Sequence, residues 1–333
     1  MSKVLQPMPP SLSYSRYEEG RSQEWDAFVF AAQNGCLFHS RTFLQYHPKG
    51  RYDDNSLIFS NGTRVVALLP GARVKTADGR LMLISHPGAS WGGFIISKRP
   101  RLSQSSELIN SLLKYLMDEG FARVSITFAP DPYWDQPDCS LGFELKRLGF
   151  SRKLEELTSV VSLVSPLAKD KESESFERNA RKAKASGLTV LEGNSIVDLI
   201  QFYDLLSSRL SDRHGVLPTH SLGEVLRLQG LLGNRIRLFA TYAKSEMVAG
   251  ALCLEQRRSV TLVFYVAHNP FFQHLRPVDL VFHHLLASYR ARNFRFVDLG
   301  LCSQLGQPNR GLARFKEKIG AFHSFRTTWE LAL

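Results

Sequence analysis

Apolar residues along the chain occur in two kinds of pattern, which polar or glycine-rich segments separate. Apolar residues at helical spacing predict amphipathic helices, whereas short runs rich in β-branched and aromatic residues predict strands. Helices are predicted over residues 24–34, 41–47, 103–119, 141–150, 195–212, 222–232 and 277–292, and from about Ser173. Strands are predicted over residues 56–60, 64–69, 80–85, 93–96, 122–128, 159–164, 188–191, 235–242, 247–254, 260–266, 294–299 and 323–331. Asn61 and Gly62, between the first two strands, are typical of a tight hairpin turn.

The predicted elements follow a similar order in each half of the chain. Each half runs through helices, antiparallel strands, a long helix, a strand, a helix and a strand. This order predicts two copies of one α+β plan with mixed, mostly antiparallel sheets. A chain of 333 residues is also too long for one compact core, so two domains are expected. Large apolar residues become rare after Ser165, so we expect an N-terminal domain of residues 1–165 and a C-terminal domain of residues 166–333.

The chain carries a formal net charge of +11 at pH 7, from 42 Lys and Arg against 31 Asp and Glu. Such a surface favours polyanions, among them RNA, nucleotides, phosphorylated glycans and the inner face of a membrane. No run approaches the length of a membrane-spanning helix, and the N-terminus lacks the pattern of a signal peptide. The Cys residues have no paired spacing. These features predict a cytoplasmic protein with reduced thiols.

The signatures of several enzyme classes are absent from the sequence. It contains no nucleophile elbow, Walker loop, zinc-protease motif or Rossmann fingerprint. His283 and His284 are adjacent, and adjacent side chains on a helix diverge, so this pair cannot chelate one metal ion. We expect no metal site and no bound cofactor.

Residues 294–320 combine a predicted buried strand, a polar loop and a basic helix. The strand ends at Asp298, and glycine and proline residues mark the loop that follows. Leu312, Phe315 and Ile319 then recur at helical spacing, with Arg and Lys residues around the rest of the turn. A carboxylate at a strand end beside a basic helix predicts a receptor for an anionic ligand, such as a phosphate or a carboxylate.

Several segments within residues 175–322 carry a resemblance to a known family. They are ERNARKAKASG, AKSEMVAGALCL, VFYVAHNP, LRPVDLVFHHLLASYRARN, FVDLG and RFKEKIG, with looser agreement earlier through WDAF, VVALLPG and SHPGASWGG. Their order resembles that of the FemAB-type proteins, which are peptidyltransferases that use aminoacyl-tRNA, together with a wider FemAB-like acyltransferase group. The resemblance implies two tandem domains of the GNAT (acyl-CoA N-acyltransferase-like) fold. It also implies transfer of an acyl or aminoacyl group to an amine.

The resemblance places Lys316, in the aromatic-Lys pair with Phe315, at a phosphate or at the reacting carbonyl. A fixed cation there would stabilise an oxyanion, and the alternative is one more surface lysine on a basic helix. Asp298 is the second catalytic candidate, since it could orient Lys316 or accept a proton from the attacking amine. Its alternative role is a turn carboxylate beside Gly300. Phe315 and Arg314 are candidate substrate-binding residues.

Further substrate-binding candidates lie outside this stretch. Arg178, Arg181 and Lys182 share one face of a predicted helix and could clamp a phosphate or the backbone of the donor, although a solvated basic helix would show the same pattern. Tyr265, in VFYVAHNP, faces either the core or a cleft. His86 and Trp91 lie in a glycine-rich loop of the first half. They are candidates for contact with the acceptor, with a structural turn as the alternative.

Residues 273–278 bear on the identity of the donor. Acetyl-CoA-dependent GNAT enzymes bind pyrophosphate on backbone N–H groups at a helix start. Here Arg276 and Pro277 stand where a small residue and a free N–H would be needed, which argues against ordinary acetyl-CoA binding. The chain also lacks the long coiled-coil insertion of some tRNA-using members. Both aminoacyl-tRNA and acyl-CoA therefore stay open as the co-substrate.

We expect a FemAB-like acyltransferase that works without a covalent enzyme intermediate. Its acceptor would be an amine on a cell-envelope or glycan precursor, as the resemblance implies. The first alternative is an acyl-CoA-dependent N-acetyltransferase that acts on a small molecule or a sugar amine. The second is a catalytically inactive RNA-binding or scaffold protein with the same fold. The basic surface adds the expectation of a peripheral contact with the inner face of a membrane.

Overall fold

The computed structural model describes residues 12–165, 171–257 and 259–333. The chain divides into two compact units. Unit 1 comprises Met1–Glu156 and Phe325–Leu333, and unit 2 comprises Leu157–Ser324. The end of the chain therefore returns to the first unit. The domain boundary expected near Ser165 stays a prediction about which parts fold independently.

Unit 1 combines helices with antiparallel and mixed sheets. Its helices are α1 (Ser22–Ala31), α2 (Arg41–Leu44), α3 (Leu102–Asp118) and α4 (Ser140–Arg147). Its strands are β1 (Ser13–Arg16), β2 (Asp53–Asp54), β3 (Leu57–Asn61), β4 (Arg64–Leu69), β5 (Ala72–Lys75), β6 (Leu81–Ser85), β7 (Ile95–Ile96), β8 (Arg123–Thr127) and parts of β9 (Ser151–Ser162) and β17 (Ala321–Ala332). One set of strands has the order β1-β3-β4-β7. The other has the order β17-β8-β6-β5-β2, with β6 and β8 parallel.

Unit 2 places helices against one mixed sheet. Its helices are α5 (Lys171–Ala185), α6 (Ile196–His214), α7 (Leu222–Leu232), α8 (Pro277–Ala291) and α9 (Arg310–Lys318). Its strands are β10 (Leu188–Gly193), β11 (Ile236–Ala243), β12 (Glu246–Arg257), β13 (Val260–His268), β14 (Phe296–Leu301), β15 (Ser303–Gln304) and β16 (Gln307–Pro308). The sheet order is β10-β11-β12-β13-β14-β9. Strands β13 and β14 run parallel, and Leu262 with Asp298 is the last pair in their register.

The predicted helices and strands are confirmed, with shifts at their ends. The hairpin at Asn61 and Gly62 joins β3 to β4, and Gly62 has a φ of +59° that the tight turn requires. Strand β9 begins at Ser151, earlier than predicted, because its first residues are polar and exposed and give no apolar run. Strands β1, β2 and β5 and the small β15–β16 hairpin were not predicted. Within the described ranges, no helix is long and apolar enough to cross a membrane.

The charged stretch after Ser165 contains a packed helix. Residues 166–170 lie outside the described residues, and α5 begins at Lys171. Its Phe176, Ala180 and Ala183 are buried, and the helix packs against α8 and α9. One stripe of a single aromatic residue and two alanines is enough to pack the helix. Because this stripe contains only one large apolar residue, the composition suggested a junction between domains.

Candidate functional site

Lys316 lies on α9 with its side chain turned into unit 2, and it is 6% exposed. Its Nζ donates hydrogen bonds to the carbonyl oxygens of Gly300 and Leu301, both at 2.8 Å. The register of β14 with β9 shifts between Asp298 and Leu301, so the backbone at Gly300 leaves the regular ladder. Gly300 has a φ of +78°, which glycine adopts readily. This irregularity at the strand end therefore places two carbonyl oxygens where both accept hydrogen bonds from the ammonium group.

Burial lowers the pKa of Lys316 from 10.5 to about 8, because the charged form loses hydration. The negative charge of Asp298 acts in the opposite direction. Two N–H bonds are enough to serve both carbonyls in either protonation state of the amine. The third position on Nζ carries an N–H in the charged form and a lone pair in the neutral form. Charged Lys316 can therefore donate a hydrogen bond to an oxyanion, and neutral Lys316 can accept a proton.

Asp298 is fully buried where the parallel pairing of β13 and β14 ends. Its Oδ1 accepts hydrogen bonds from Thr158 Oγ1 at 2.5 Å and from the backbone N–H of Gly300 at 2.8 Å. The second contact is the turn role that the sequence left open for this carboxylate. Asp298 thus fixes the backbone that seats Lys316, and its charge favours the protonated amine. Proton transfer by Asp298 stays a prediction.

Phe315 and Arg314 directly precede Lys316 on the helix but have different neighbours. Phe315 packs against the core of unit 2 and meets Phe282 edge-on, with 5.9 Å between ring centroids. Arg314 is exposed and pairs with Glu172 of α5 at 2.8 Å. Because Lys316 is turned inward and buried, the alternative that it is one more surface lysine is wrong.

The other candidates of unit 2 lie on α5 and β13. Arg178 and Arg181 are exposed on α5, on the side away from its buried stripe. The hydroxyl of Tyr265 accepts a hydrogen bond from the backbone N–H of His220 at 3.3 Å and lies 2.7 Å from Nδ1 of the same residue. Burial raises the pKa of Tyr265. Substrate contacts by these three residues stay predictions.

His86 and Trp91 belong to unit 1, whereas Lys316 belongs to unit 2. Both are buried, with exposed fractions of 5% and 3%. Nδ1 of His86 accepts a hydrogen bond from the backbone N–H of Gly88 at 3.1 Å, and burial lowers the pKa of His86 to about 4. Trp91 Nε1 donates to Cys36 Sγ at 3.2 Å. These contacts give both residues a structural role in the glycine-rich loop, and their contact with an acceptor stays a prediction.

Sequence reasoning missed a polar group next to Lys316. His323 Nε2 lies 2.8 Å from Glu317 Oε1, and its Nδ1 lies 3.6 Å from Cys302 Sγ and 3.3 Å from Ser159 Oγ. These residues come from β9, the end of β14, α9 and the start of β17, so no local spacing signals their meeting. Among the described residues, no group of three or more His, Cys, Asp or Glu could hold a metal ion.

A second polar feature of unit 2 is a cavity of about 440 Å³ between α5 and the segment before α8. Lys182, His274 and Arg276 are among the residues that line it. A cavity lined by these side chains can take an anionic group such as a phosphate.

The start of α8 is already occupied by a carboxylate of the chain itself. Pro277 is its first residue and has no N–H, and Asp279 lies buried in the first turn. Asp279 Oδ1 accepts hydrogen bonds from Lys318 Nζ at 2.8 Å and from Asn179 Nδ2 at 3.3 Å. A carboxylate that already occupies the positive end of a helix opposes the binding of a pyrophosphate there.

Comparison with known proteins defines the class of fold. Residues 171–317 match the family model described as an acetyltransferase (GNAT) domain. The structure is also similar to a tandem GNAT protein from the clavulanic acid biosynthesis pathway, with a TM-score of 0.52 at 11% identity over 96% of this chain and 98% of the other. The predicted fold is thereby confirmed: α+β, with two tandem GNAT-like domains and mixed sheets.

Within that class, the chain resembles FemX, a FemAB-type protein. The TM-score is 0.70 at 15% identity, and the match covers 96% of this chain and 97% of FemX. L-PGS from Bacillus licheniformis is similar as well, with a TM-score of 0.60 at 14% identity over 94% of this chain and 92% of the other. No curated protein matches the chain in sequence. The resemblance to FemAB-type proteins that the sequence indicated is therefore confirmed for the fold.

Proposed function

We propose that the protein is a FemAB-like acyltransferase that transfers an acyl or aminoacyl group to an amine acceptor. The observation that carries the proposal is the buried ammonium of Lys316, seated on the carbonyls of Gly300 and Leu301 beside Asp298. A cation held rigidly in a low-dielectric site stabilises negative charge that develops in a transition state. Lys316 lies within residues 171–317, which match an acetyltransferase domain, and this position supports acyl transfer.

The proposed reaction is direct attack of the acceptor amine on the carbonyl carbon of the activated acyl group. The new N–C bond forms as the carbonyl oxygen becomes an oxyanion, to which charged Lys316 donates its third N–H. The oxyanion then collapses, the bond to the leaving oxygen or sulfur breaks, and the leaving group takes up the proton that the amine loses. Proximity of the two substrates and stabilisation of the oxyanion supply the acceleration.

For the donor we favour aminoacyl-tRNA over acyl-CoA. Pro277 and the buried Asp279 make the start of α8 unsuitable for a pyrophosphate. The cavity lined by Lys182, His274 and Arg276 offers cations beside that helix start instead. A net charge of +11 suits a long polyanion better than a small one.

The acceptor in this proposal is an amine on a cell-envelope or glycan precursor, and the protein works in the cytoplasm with a peripheral contact to the inner membrane face. The similarity of the fold to that of FemX supports this acceptor. So does the C-terminal domain of a putative lysylphosphatidylglycerol synthetase from Agrobacterium fabrum, with a TM-score of 0.60 at 9% identity over 93% of this chain and 92% of the other. The second protein is named for the synthesis of lysylphosphatidylglycerol, a membrane lipid that carries an amino acid.

The match to an acetyltransferase (GNAT) domain also supports a second candidate, an acyl-CoA-dependent N-acetyltransferase acting on a small molecule or a sugar amine. A third candidate is an inactive RNA-binding or scaffold protein, which would bind tRNA without consuming an acylated form. Binding and turnover measured side by side separate the three candidates.

We expect tRNA to bind with an affinity that falls linearly with salt on a double-logarithmic plot, because phosphate contacts release counterions. Lys182→Gln should lower that slope by about one, since one phosphate contact is lost. Filter binding of deacylated tRNA over a salt series measures both quantities. Transfer of a radiolabelled amino acid from aminoacyl-tRNA to a panel of amines then tests for turnover.

Lys184→Gln is the matched control, because Lys184 is exposed on the same helix and does not line the cavity. Its salt slope should stay close to that of the unaltered protein. If acetyl-CoA bound saturably and the affinity for tRNA did not depend on salt, aminoacyl-tRNA would be excluded as the donor. The protein would then be the acyl-CoA-dependent enzyme. Salt-dependent tRNA binding without transfer to any amine would leave the inactive RNA-binding protein.

A further inference from the structure

Unit 1 contains a cavity of about 490 Å³ that neither His86 nor Trp91 lines. It is bounded by the segment around Asp131, by α4, by the start of β9 and by the end of β17. All of these belong to unit 1, so the cavity is complete within that unit. Its volume falls in the range of small-molecule sites, which span about 300–1,000 Å³.

Aromatic side chains make up much of the cavity wall. Trp134 and Trp329 are almost fully buried, at 7% and 5% exposure, and form its inner surface. Phe143 and Phe325 also line it, yet they are 57% and 56% exposed. Large aromatic rings left in water cost free energy, which a ligand that covers them would recover. The wall therefore suits a ligand with an apolar arm.

Most of the charged groups around the cavity neutralise one another. Asp138 pairs with Arg99 at 3.1 Å. Glu155 pairs with Arg152 at 3.1 Å, and the guanidinium of Arg152 lies 5.2 Å from the ring centroid of Trp329. These groups need no charge from a ligand.

Asp131 and Lys146 are different, because neither makes an ion pair with any residue that the structure describes. Asp131 is exposed by its surface area, yet partial burial of its carboxyl group raises its pKa. Lys146 is exposed in the last turn of α4. The cavity thus presents one carboxylate and one ammonium, unpaired with each other, beside aromatic rings.

From this combination we infer that the cavity binds a zwitterion: an ammonium and a carboxylate joined by an apolar arm, the chemistry of an amino acid or of the end of a peptide. Asp131 accepts hydrogen bonds from the ligand ammonium, which the aromatic faces also attract. Lys146 donates to the ligand carboxylate. The apolar arm covers Phe143 and Phe325. The inference stands on unit 1 alone and does not depend on acyl transfer by unit 2.

The test uses the full chain and three probes of equal arm length: 6-aminohexanoate, hexylamine and hexanoate. Trp134 and Trp329 report binding through their fluorescence, because both line the cavity. We expect 6-aminohexanoate to bind about tenfold more tightly than either singly charged probe, since each charged hydrogen bond contributes on that scale. Asp131→Asn should remove its advantage over hexanoate, and Lys146→Gln should remove its advantage over hexylamine.

Matched controls are Glu119→Gln and Lys153→Gln, which change exposed charges of unit 1 outside the cavity. Both should bind all three probes as the unaltered protein does. Equal affinity for the three probes, or equal losses in the cavity and control variants, would overturn the inference. So would hexylamine binding as tightly as 6-aminohexanoate, because Lys146 would then have no ligand to hold.

Discussion

Lys316→Met is expected to lower the rate of acyl transfer by about two to three orders of magnitude, the loss that follows removal of one oxyanion donor. Methionine keeps an unbranched side chain of similar length but removes the charge and every N–H. The carbonyls of Gly300 and Leu301 lose their donor, which costs about 1–3 kcal/mol of stability, partly offset by removing a buried charge. The measurement is the single-turnover rate with the donor that the unaltered protein uses, at a temperature where melting curves show both proteins folded.

Arg310→Met is the control, because Arg310 is an exposed cation in the first turn of the same helix. It should retain nearly full activity. Lys318 would be a poor control, since its salt bridge to Asp279 ties α9 to α8. Equal rates for the Lys316 and Arg310 variants, with both folded, would show that α9 contributes only general positive charge and that the site lies elsewhere.

The strand, loop and helix that hold Lys316 could be predicted from local pattern. The apolar run predicted residues 294–299 as a strand, and the structure has Phe296–Leu301. The inward direction of Lys316 was not predicted, although the spacing is compatible with it. Leu312, Phe315 and Ile319 define a helical stripe, and Lys316 occupies the i+4 position of that stripe. Its charge led the sequence analysis to place Lys316 among the basic residues around the rest of the turn, whereas the structure has it on the buried face.

What seats Lys316 could not be predicted, because it depends on contacts between distant parts of the chain. Thr158 lies 140 residues before Asp298 in the chain, and their hydrogen bond fixes the strand end. The shift in register at Gly300 arises from pairing with β9, whose first half gives no strand pattern. His323 and Glu317 meet only because β17 begins beside α9. Local spacing carries no information about such pairings, and family resemblance pointed to Lys316 without showing its environment.

The unpaired charges of the unit 1 cavity could not be identified from the sequence either, because pairing of charges depends on contacts between distant parts of the chain. Asp131 and Lys146 lie in segments of ordinary polar composition, and nothing in their spacing separates them from the paired Asp138. Only the arrangement in space shows which carboxylates already have partners. In unit 1 the sequence indicated His86 and Trp91 instead, and packing gives these two residues contacts of their own.

The rate of transfer should depend on pH through Lys316. If the charged form donates to the oxyanion, kcat/KM falls about tenfold per pH unit above the pKa of Lys316, which burial lowers to about 8. A rate that rises through the same pH would contradict the oxyanion role and would show that the neutral amine acts as a base. Asp298→Asn removes the negative charge that favours protonated Lys316, so the falling limb should move to lower pH. A pH series of kcat/KM for the unaltered protein and for Asp298→Asn measures both effects.

Stability gives the same titration a second measurement that needs no substrate. Lys316 has a lower pKa in the folded protein than its ordinary value of 10.5, so the unfolded chain binds more protons between about pH 8 and 10.5. The free energy of unfolding of the unaltered protein should therefore rise with pH in this window relative to Lys316→Met, by up to about 3 kcal/mol. Denaturant unfolding of the two proteins at several pH values measures this difference. A difference that stays constant would show that Lys316 keeps an ordinary pKa, and a falling limb near pH 8 would then belong to another group.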